Sequence, residues 1–180
     1  MSEIAQAPKV LIGLGNPDVK YLETRHNAGF KVIDAVAAKY GGHLKSVGDK
    51  EMATFSLNGH SVLLIKPLTY MNNSGDVVPF LKKKGIGPAD ILVIHDELEK
   101  PLGKLALKMG GSARGHNGLK SLIERWGTPE FARLRFGIGR PEAKEQVPHY
   151  VLERFENSSQ VDLYVQDAVQ LIEHLYSMSR

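Results

Sequence analysis

The spacing of apolar positions along the chain switches repeatedly between strand-like and helix-like. Residues 9–14 form a short apolar run that ends in Gly13-Leu14-Gly15-Asn16-Pro17, which predicts a strand feeding a turn. From residue 27 to 40 the apolar positions are Phe30, Ile33, Val36, Ala37 and Tyr40, a helical spacing stopped by Gly41-Gly42. Two runs, 52–57 and 61–66, flank Asn58-Gly59, the strongest short-range hairpin signal in the chain. Residues 75–84 read as a short helix ended by Gly85. The bare apolar run 91–95, closed by charged residues, reads as a buried central strand.

Further along, residues 102–109 alternate, with Leu105, Leu107 and Met109 on one face and Lys104, Ala106 and Lys108 on the other. Residues 115–126 look helical through Leu119, Leu122, Ile123 and Trp126. Residues 133–139 alternate again, Leu134 and Phe136 opposing Arg133 and Arg135. A last helix over roughly 158–178 aligns Val161, Val165, Ala168, Ile172 and Leu175, with Ser158 or Ser159 as its cap. Strands and helices therefore interleave. This predicts an α/β fold: a mixed sheet with helices on both faces, in one domain over residues 1–180. No repeat, low-complexity tract or linker interrupts it. The glycine-rich loop 110–115 and residues 141–147 are expected to be its most mobile parts.

Composition narrows the chemistry. The 180 residues include no cysteine, which removes thiol nucleophiles and Cys-ligated zinc and fits a reducing compartment. The net charge of +3 permits a nucleic-acid or phosphate-bearing partner without establishing one. No apolar run reaches the length of a membrane span, and residues 1–8 have neither an apolar signal core nor an arginine. The tetrapeptide His95-Asp96-Glu97-Leu98 is internal and so is not an ER-retention signal.

Active sites of α/β proteins gather at the carboxyl ends of strands. Here the apolar runs are followed by Asn16 and then Arg25-His26-Asn27, by Thr69-Tyr70-Met71-Asn72-Asn73, by His95-Asp96-Glu97, and by Arg114-Gly115-His116-Asn117. If those strands are parallel neighbours, amides, histidines and an acidic pair converge in one crevice. The chain has no Gly-x-Ser-x-Gly elbow, Gly-Lys-Ser/Thr phosphate loop or His-Glu-x-x-His zinc helix. A dinucleotide fingerprint at Gly13-x-Gly15 fails because Asp18 stands at the third glycine position. What remains, imidazole with carboxylate and amides, suits general-base hydrolysis of an activated acyl group. Plainer readings stand beside this. His95 can be a structural hydrogen bonder, His116 a helix cap, and Lys82-Lys83-Lys84 a solvated helix end.

Six segments, taken together and in order, resemble the bacterial-type peptidyl-tRNA hydrolases. They are Gly13-Leu14-Gly15-Asn16-Pro17, Thr24-Arg25-His26-Asn27-x-Gly29, Lys66-Pro67-x-Thr69-Tyr70-Met71-Asn72-x-Ser74-Gly75, His95-Asp96-Glu97-Leu98, Gly115-His116-Asn117-Gly118 and Gly137-Ile138-Gly139-Arg140-Pro141. The resemblance covers nearly the whole chain. It implies a twisted, mostly parallel sheet and a monomeric enzyme, without metal or cofactor, that cleaves the ester between a peptide and the 3′ end of tRNA. By position, it implies that His26 is the general base, that Asp96 holds it, and that Asn16 checks for an N-acylated substrate. It implies that Asn72 and Asn117 position substrate, and that Tyr21, Tyr70 and Met71 contact the terminal nucleotide and peptide. Lys108 and Arg135 fall where the family's tRNA-phosphate contacts lie.

That last assignment matches the alternation. Lys104, Lys108, Arg133 and Arg135 oppose apolar faces, so they are expected to stand in solvent, ready for phosphates. Three departures are visible, one of them His95-Asp96-Glu97, where bacterial members often carry two carboxylates. Asp18 replaces the usual glycine, and the loop around Arg114 resembles an organelle-associated branch, which leaves cytoplasm and organelle both open. The rivals are an RNA-binding module of the same fold that does not hydrolyse, and a nucleotide-cofactor enzyme using the first turn.

Overall fold

The computed structural model describes residue 4 and residues 6–178; the reading of residues 1–8 lies partly outside them. Seven strands form one mixed sheet. They are β1 (Val10–Gly13), β2 (Lys45–Val47), β3 (Lys50–Leu57), β4 (His60–Pro67), β5 (Ile91–Glu97), β6 (Leu105–Met109) and β7 (Ala132–Gly137), in the order β2-β3-β4-β1-β5-β7-β6. The four central strands β4, β1, β5 and β7 are parallel, and β3 and β6 run antiparallel to their neighbours. Both faces are covered. Helices α1 (Ala28–Tyr40) and α5 (Ser158–Met178) pack on one side, α2 (Val78–Lys83) and α3 (Asn117–Trp126) on the other. A short α4 (Val147–Tyr150) precedes α5.

The central strands are apolar throughout because they bury both faces. In β5, Leu92 and Ile94 point into the α1/α5 core, and Ile91 and Val93 into the α2/α3 core. The β3–β4 hairpin turns on Asn58 and Gly59 at φ +50° and +80°, the left-handed pair its sequence predicts. Edge strand β2 is exposed along its length and was not anticipated from the pattern.

Three expectations change. Helix α5 is capped by Asn157, whose side chain accepts from Gln160 N–H at 3.0 Å, rather than by Ser158 or Ser159. Residues Met71–Val77 form a 3₁₀ segment, and the α-helix begins only at Val78. The cause is tertiary. Gly75 lies so close to α3 that a Cβ would meet Ser121 O at 2.4 Å, so this stretch is moulded to its neighbour. Thirdly, β6 is antiparallel, and its last residue Met109 pairs with Ala132 at the start of β7. Its carboxyl end therefore lies beside the amino end of β7, away from the carboxyl ends of the central strands. The chain must climb back over the face through residues 110–116, where Gly110, Gly111, Arg114 and Gly115 all have positive φ.

One close approach sets the stage for the site. A Cβ on Gly29, in the first turn of α1, would sit 2.3 Å from Ile94 O and 2.6 Å from Leu14 N. Backbone packs on backbone there. The residues just before α1 are thereby pressed against the ends of β1 and β5.

Candidate active site

Asp96, 2% exposed, comes from the end of β5 and is the hub of the site. Its Oδ2 accepts from His26 Nδ1–H at 2.7 Å, and its Oδ1 accepts from His116 Nε2–H at 2.7 Å. The ionised carboxyl can only accept, so both nitrogens carry protons. Burial is the largest single influence on this carboxyl and works to raise its pKa. The charges and hydrogen bonds of His26 and His116 outweigh it and hold the group well below the usual carboxylate range.

His26 sits in a 3₁₀ turn, Arg25–Asn27, directly before α1. With its proton on Nδ1, Nε2 is a lone pair, and it makes no hydrogen bond within the described residues. Burial is again the largest influence and lowers the pKa, but the Asp96 charge and hydrogen bond together raise it above the ordinary histidine value near 6.5.

His116 does two jobs. It is the N-cap of α3, its Nδ1 accepting from the N–H groups of Gly118 and Leu119 at 3.1 and 3.3 Å. Because Nδ1 must stay a lone pair to cap the helix, the proton is fixed on Nε2, where it meets Asp96. The cap reading is therefore right and incomplete. His95 is structural, as the plainer reading has it. It is fully buried, its Nδ1–H donates to the Asp96 carbonyl at 2.8 Å, and burial followed by the nearby His116 charge lowers its pKa to about 4.

A second cluster adjoins this one. Asn16 N–H donates to Asn27 Oδ1 at 2.8 Å, and Asn27 Nδ2 returns a bond to Asn16 O at 2.9 Å. Asn16 Oδ1 accepts from Met71 N–H at 2.8 Å, so its Nδ2 donors are left without a partner within the described residues. Met71 is buried against α3, where a Cβ on Gly118 would meet its sulfur at 2.6 Å. Tyr70 is held at φ +68°, and its hydroxyl donates to the Asp18 carboxylate, 2.9 Å from either oxygen. That hydrogen bond, with lesser help from burial and charge, raises the tyrosine's pKa. The residue that departs from the family pattern thus holds one of the pattern's own aromatics. Tyr21 lies on the preceding 3₁₀ turn, half-buried, and Asn72 is exposed.

A cavity of about 170 Å³ opens beside the hub, walled by β5, β6, β7, the 110–116 loop and α4. Of the sequence-derived candidates, His26, Asp96, Asn117, Lys108 and Arg135 line it; Asn16, Tyr21, Tyr70, Met71 and Asn72 do not. The basic face is corrected in part. Lys108, Arg133 and Arg135 do share a face, with Lys108 beside Arg133 across the β6–β7 ladder. Arg133, however, is 3% exposed and donates to the carbonyls of Gly111, Ser112 and Pro129, pinning the returning loop. Arg135 donates from Nε to Glu97 at 2.8 Å. The loop folds over this face and takes Arg133 out of solvent. Lys108 is half-buried on the cavity wall, not standing fully in solvent, and has no carboxylate partner among the described residues.

His26, Asp96 and His116 place nitrogens and oxygens within 4.8 Å of one another, close enough to hold an ion. Each bonding nitrogen is already in direct contact with an Asp96 oxygen, so an ion would have to displace both protons and part the groups. As arranged, the three groups are held to one another by hydrogen bonds. The sequence pattern puts Arg25, Asn27 and His116 among the groups converging on the crevice but assigns none of the three a role of its own there.

An α/β sheet with a buried carboxylate orienting a histidine at the carboxyl ends of its central strands is an arrangement that can take a proton from water, as a general-base hydrolase requires. Comparison with known proteins specifies it further. The family model described as peptidyl-tRNA hydrolase matches residues 10–179. A peptidyl-tRNA hydrolase of Hydrogenobaculum is 51% identical over 150 residues, covering 82% of this chain and 79% of that protein. One from Brevibacillus brevis is 47% identical over 167 residues, covering 91% and 86%. The crystal structure of the Arg119Gln mutant of the Acinetobacter baumannii peptidyl-tRNA hydrolase superposes with a TM-score of 0.91 at 41% identity, covering 96% of this chain and 90% of that one. The chain belongs to the peptidyl-tRNA hydrolase family. Its substrate class is peptidyl-tRNA, and the rival of a non-catalytic RNA-binding module finds no support among these relatives.

Proposed function

We propose that this enzyme cleaves the peptidyl ester by general-base catalysis centred on His26. The observation that carries the reading is the Asp96 hub, which fixes the proton of His26 on Nδ1 and leaves Nε2, among the described residues, unpartnered beside a cavity. Nε2 takes a proton from water as the oxygen attacks the ester carbonyl. The imidazolium that forms lies against the Asp96 carboxylate, and it returns the proton to the departing 3′ oxygen of tRNA. General-base assistance of about 10²–10⁴, together with positioning, suits an ester that is already activated.

Asn16 is proposed to select the N-acylated substrate, and its orientation gives a physical reason. With Oδ1 held by Met71 N–H, it offers only N–H donors. A peptide carbonyl can accept them, whereas the free ammonium of an aminoacyl ester presents donors to donors. Asn72 and Asn117 are proposed to hold the ester and its neighbours, and Tyr21, Tyr70 and Met71 to contact the terminal nucleotide and peptide. Lys108 is proposed to meet acceptor-stem phosphate, with Arg135 joining it when released from Glu97. The bacterial relatives and a cysteine-free sequence fit work in a reducing cytoplasm, and a monomer is proposed on the family resemblance alone.

Release of deacylated tRNA from N-acetyl-aminoacyl-tRNA and from free aminoacyl-tRNA, with EDTA present, tests this. The acetylated form should be cleaved at least ~10–100-fold faster, the worth of one mismatched buried donor. Equal rates would remove Asn16 from its role. Binding without cleavage would turn the whole reading toward the RNA-binding module.

A further inference from the structure

The turn that carries His26 is clasped by a distant piece of chain. Arg25, 8% exposed, stacks its guanidinium on the Tyr150 ring with 3.9 Å to the centroid. Its NH1 donates to the Tyr150 carbonyl at 3.0 Å and to Glu153 Oε1 at 2.9 Å. Around these contacts the two backbones are stitched together. Arg25 N–H donates to Glu153 O at 3.0 Å, His26 N–H to Val151 O at 2.8 Å, and Phe155 N–H to Glu23 O at 3.0 Å. Thr24 and Arg154 complete the set as an isolated antiparallel bridge.

From this geometry we infer that Arg25 is a positioning residue, registering His26 against the cavity wall formed by α4 and the residue after it. Two features separate this from simple docking of a linker. The peptide N–H of His26 is itself one of the stitches. In addition, Val147, Pro148 and Val151 of the clasping segment line the cavity beside the His26 ring. One clasp therefore sets both the base and the surface the substrate meets. Arginine suits the place because a planar guanidinium can stack on a ring and donate in its plane at once. A lysine ammonium can do only part of this. Burying the charge is tolerable because carbonyl, carboxylate and ring all face it.

The inference rests on His26 being the base, and the test keeps the two ideas apart. Arg25→Lys keeps the charge and its reach toward Glu153 but loses the flat stack. Its kcat per folded molecule should fall roughly ten- to a hundredfold, the cost of an ångström-scale misplacement, with KM changed less than about twofold. Without substrate, the downfield proton resonance of His26 Nδ1–H in its bond to Asp96 should broaden relative to the parent protein. If Arg25→Lys fails to fold, Glu153→Ala loosens the clasp from its exposed side. It should lower kcat about threefold and broaden the same resonance. Parent kcat and a parent resonance in the folded variant overturn the inference, as does a loss of activity that tracks only the folded fraction. Full activity in His26→Ala would instead fell the reading of the base. An inactive His26→Ala beside a fully active Arg25→Lys would fell the clasp alone.

Discussion

Asp96→Asn should cost the enzyme about 10²–10⁴ in kcat while leaving the fold and KM nearly intact. The size of the loss follows from proton bookkeeping at the hub. Asp96 accepts from two N–H donors, one on each oxygen. An asparagine at this position offers one acceptor and one donor, so one histidine must give up its tautomer. His116 cannot, because its Nδ1 lone pair caps α3. His26 must yield, and the proton then sits on Nε2, where the base should be. The pH dependence changes as well. Under the proposed mechanism His26 has to be neutral to act, and its pKa is raised, so the acidic limb of kcat/KM should lie above about 6.5. Removing the Asp96 charge leaves burial, which lowers the pKa, as the dominant influence. The limb of the residual activity should move to lower pH. Steady-state kinetics across pH 5–9, with circular dichroism of both proteins, checks this. A variant with parent kcat, or a limb moved upward, contradicts the account.

The second large effect is on stability. Gly29→Ala should destabilise the protein by about 3 kcal/mol, at the upper end of ordinary overpacking costs. The added methyl would lie 2.3 Å from Ile94 O and 2.6 Å from Leu14 N. Both are backbone atoms of the central sheet, so no flexible side chain can move aside. Relief requires α1 to lift from β1 and β5, which also draws the His26 turn away from Asp96. For a chain of this size the melting temperature should fall by roughly 6–12 °C, with kcat falling in the fraction that stays folded. An unchanged melting temperature would show that α1 shifts at little cost.

Much of the architecture was legible because it depends on local pattern. The unbroken apolar run of β5 announces a strand buried on both faces, Asn58-Gly59 announces its hairpin, and the stripe of α5 announces its packing face. What escaped depends on partners distant in sequence. Alternation assigned Arg133 to its face correctly, yet gave no sign that the 110–116 loop would return across that face and bury it. The antiparallel course of β6 was equally hidden, since strand direction leaves no mark on an alternating run. At the site, His26 and Asp96 are separated by three strands and two helices along the chain. Their pairing was reached through family resemblance and not through spacing. His116 was seen as a cap, and its second contact was missed because nothing local says where the other ring nitrogen points.

The most direct test of the central claim is single-turnover cleavage of N-acetyl-aminoacyl-tRNA by purified His26→Ala, with its fold verified and tRNA binding measured in parallel. The account predicts that binding survives while ester cleavage falls to the background rate of the substrate alone. Cleavage at the parent rate by the folded variant would contradict it and leave the Asp96 hub a structural feature.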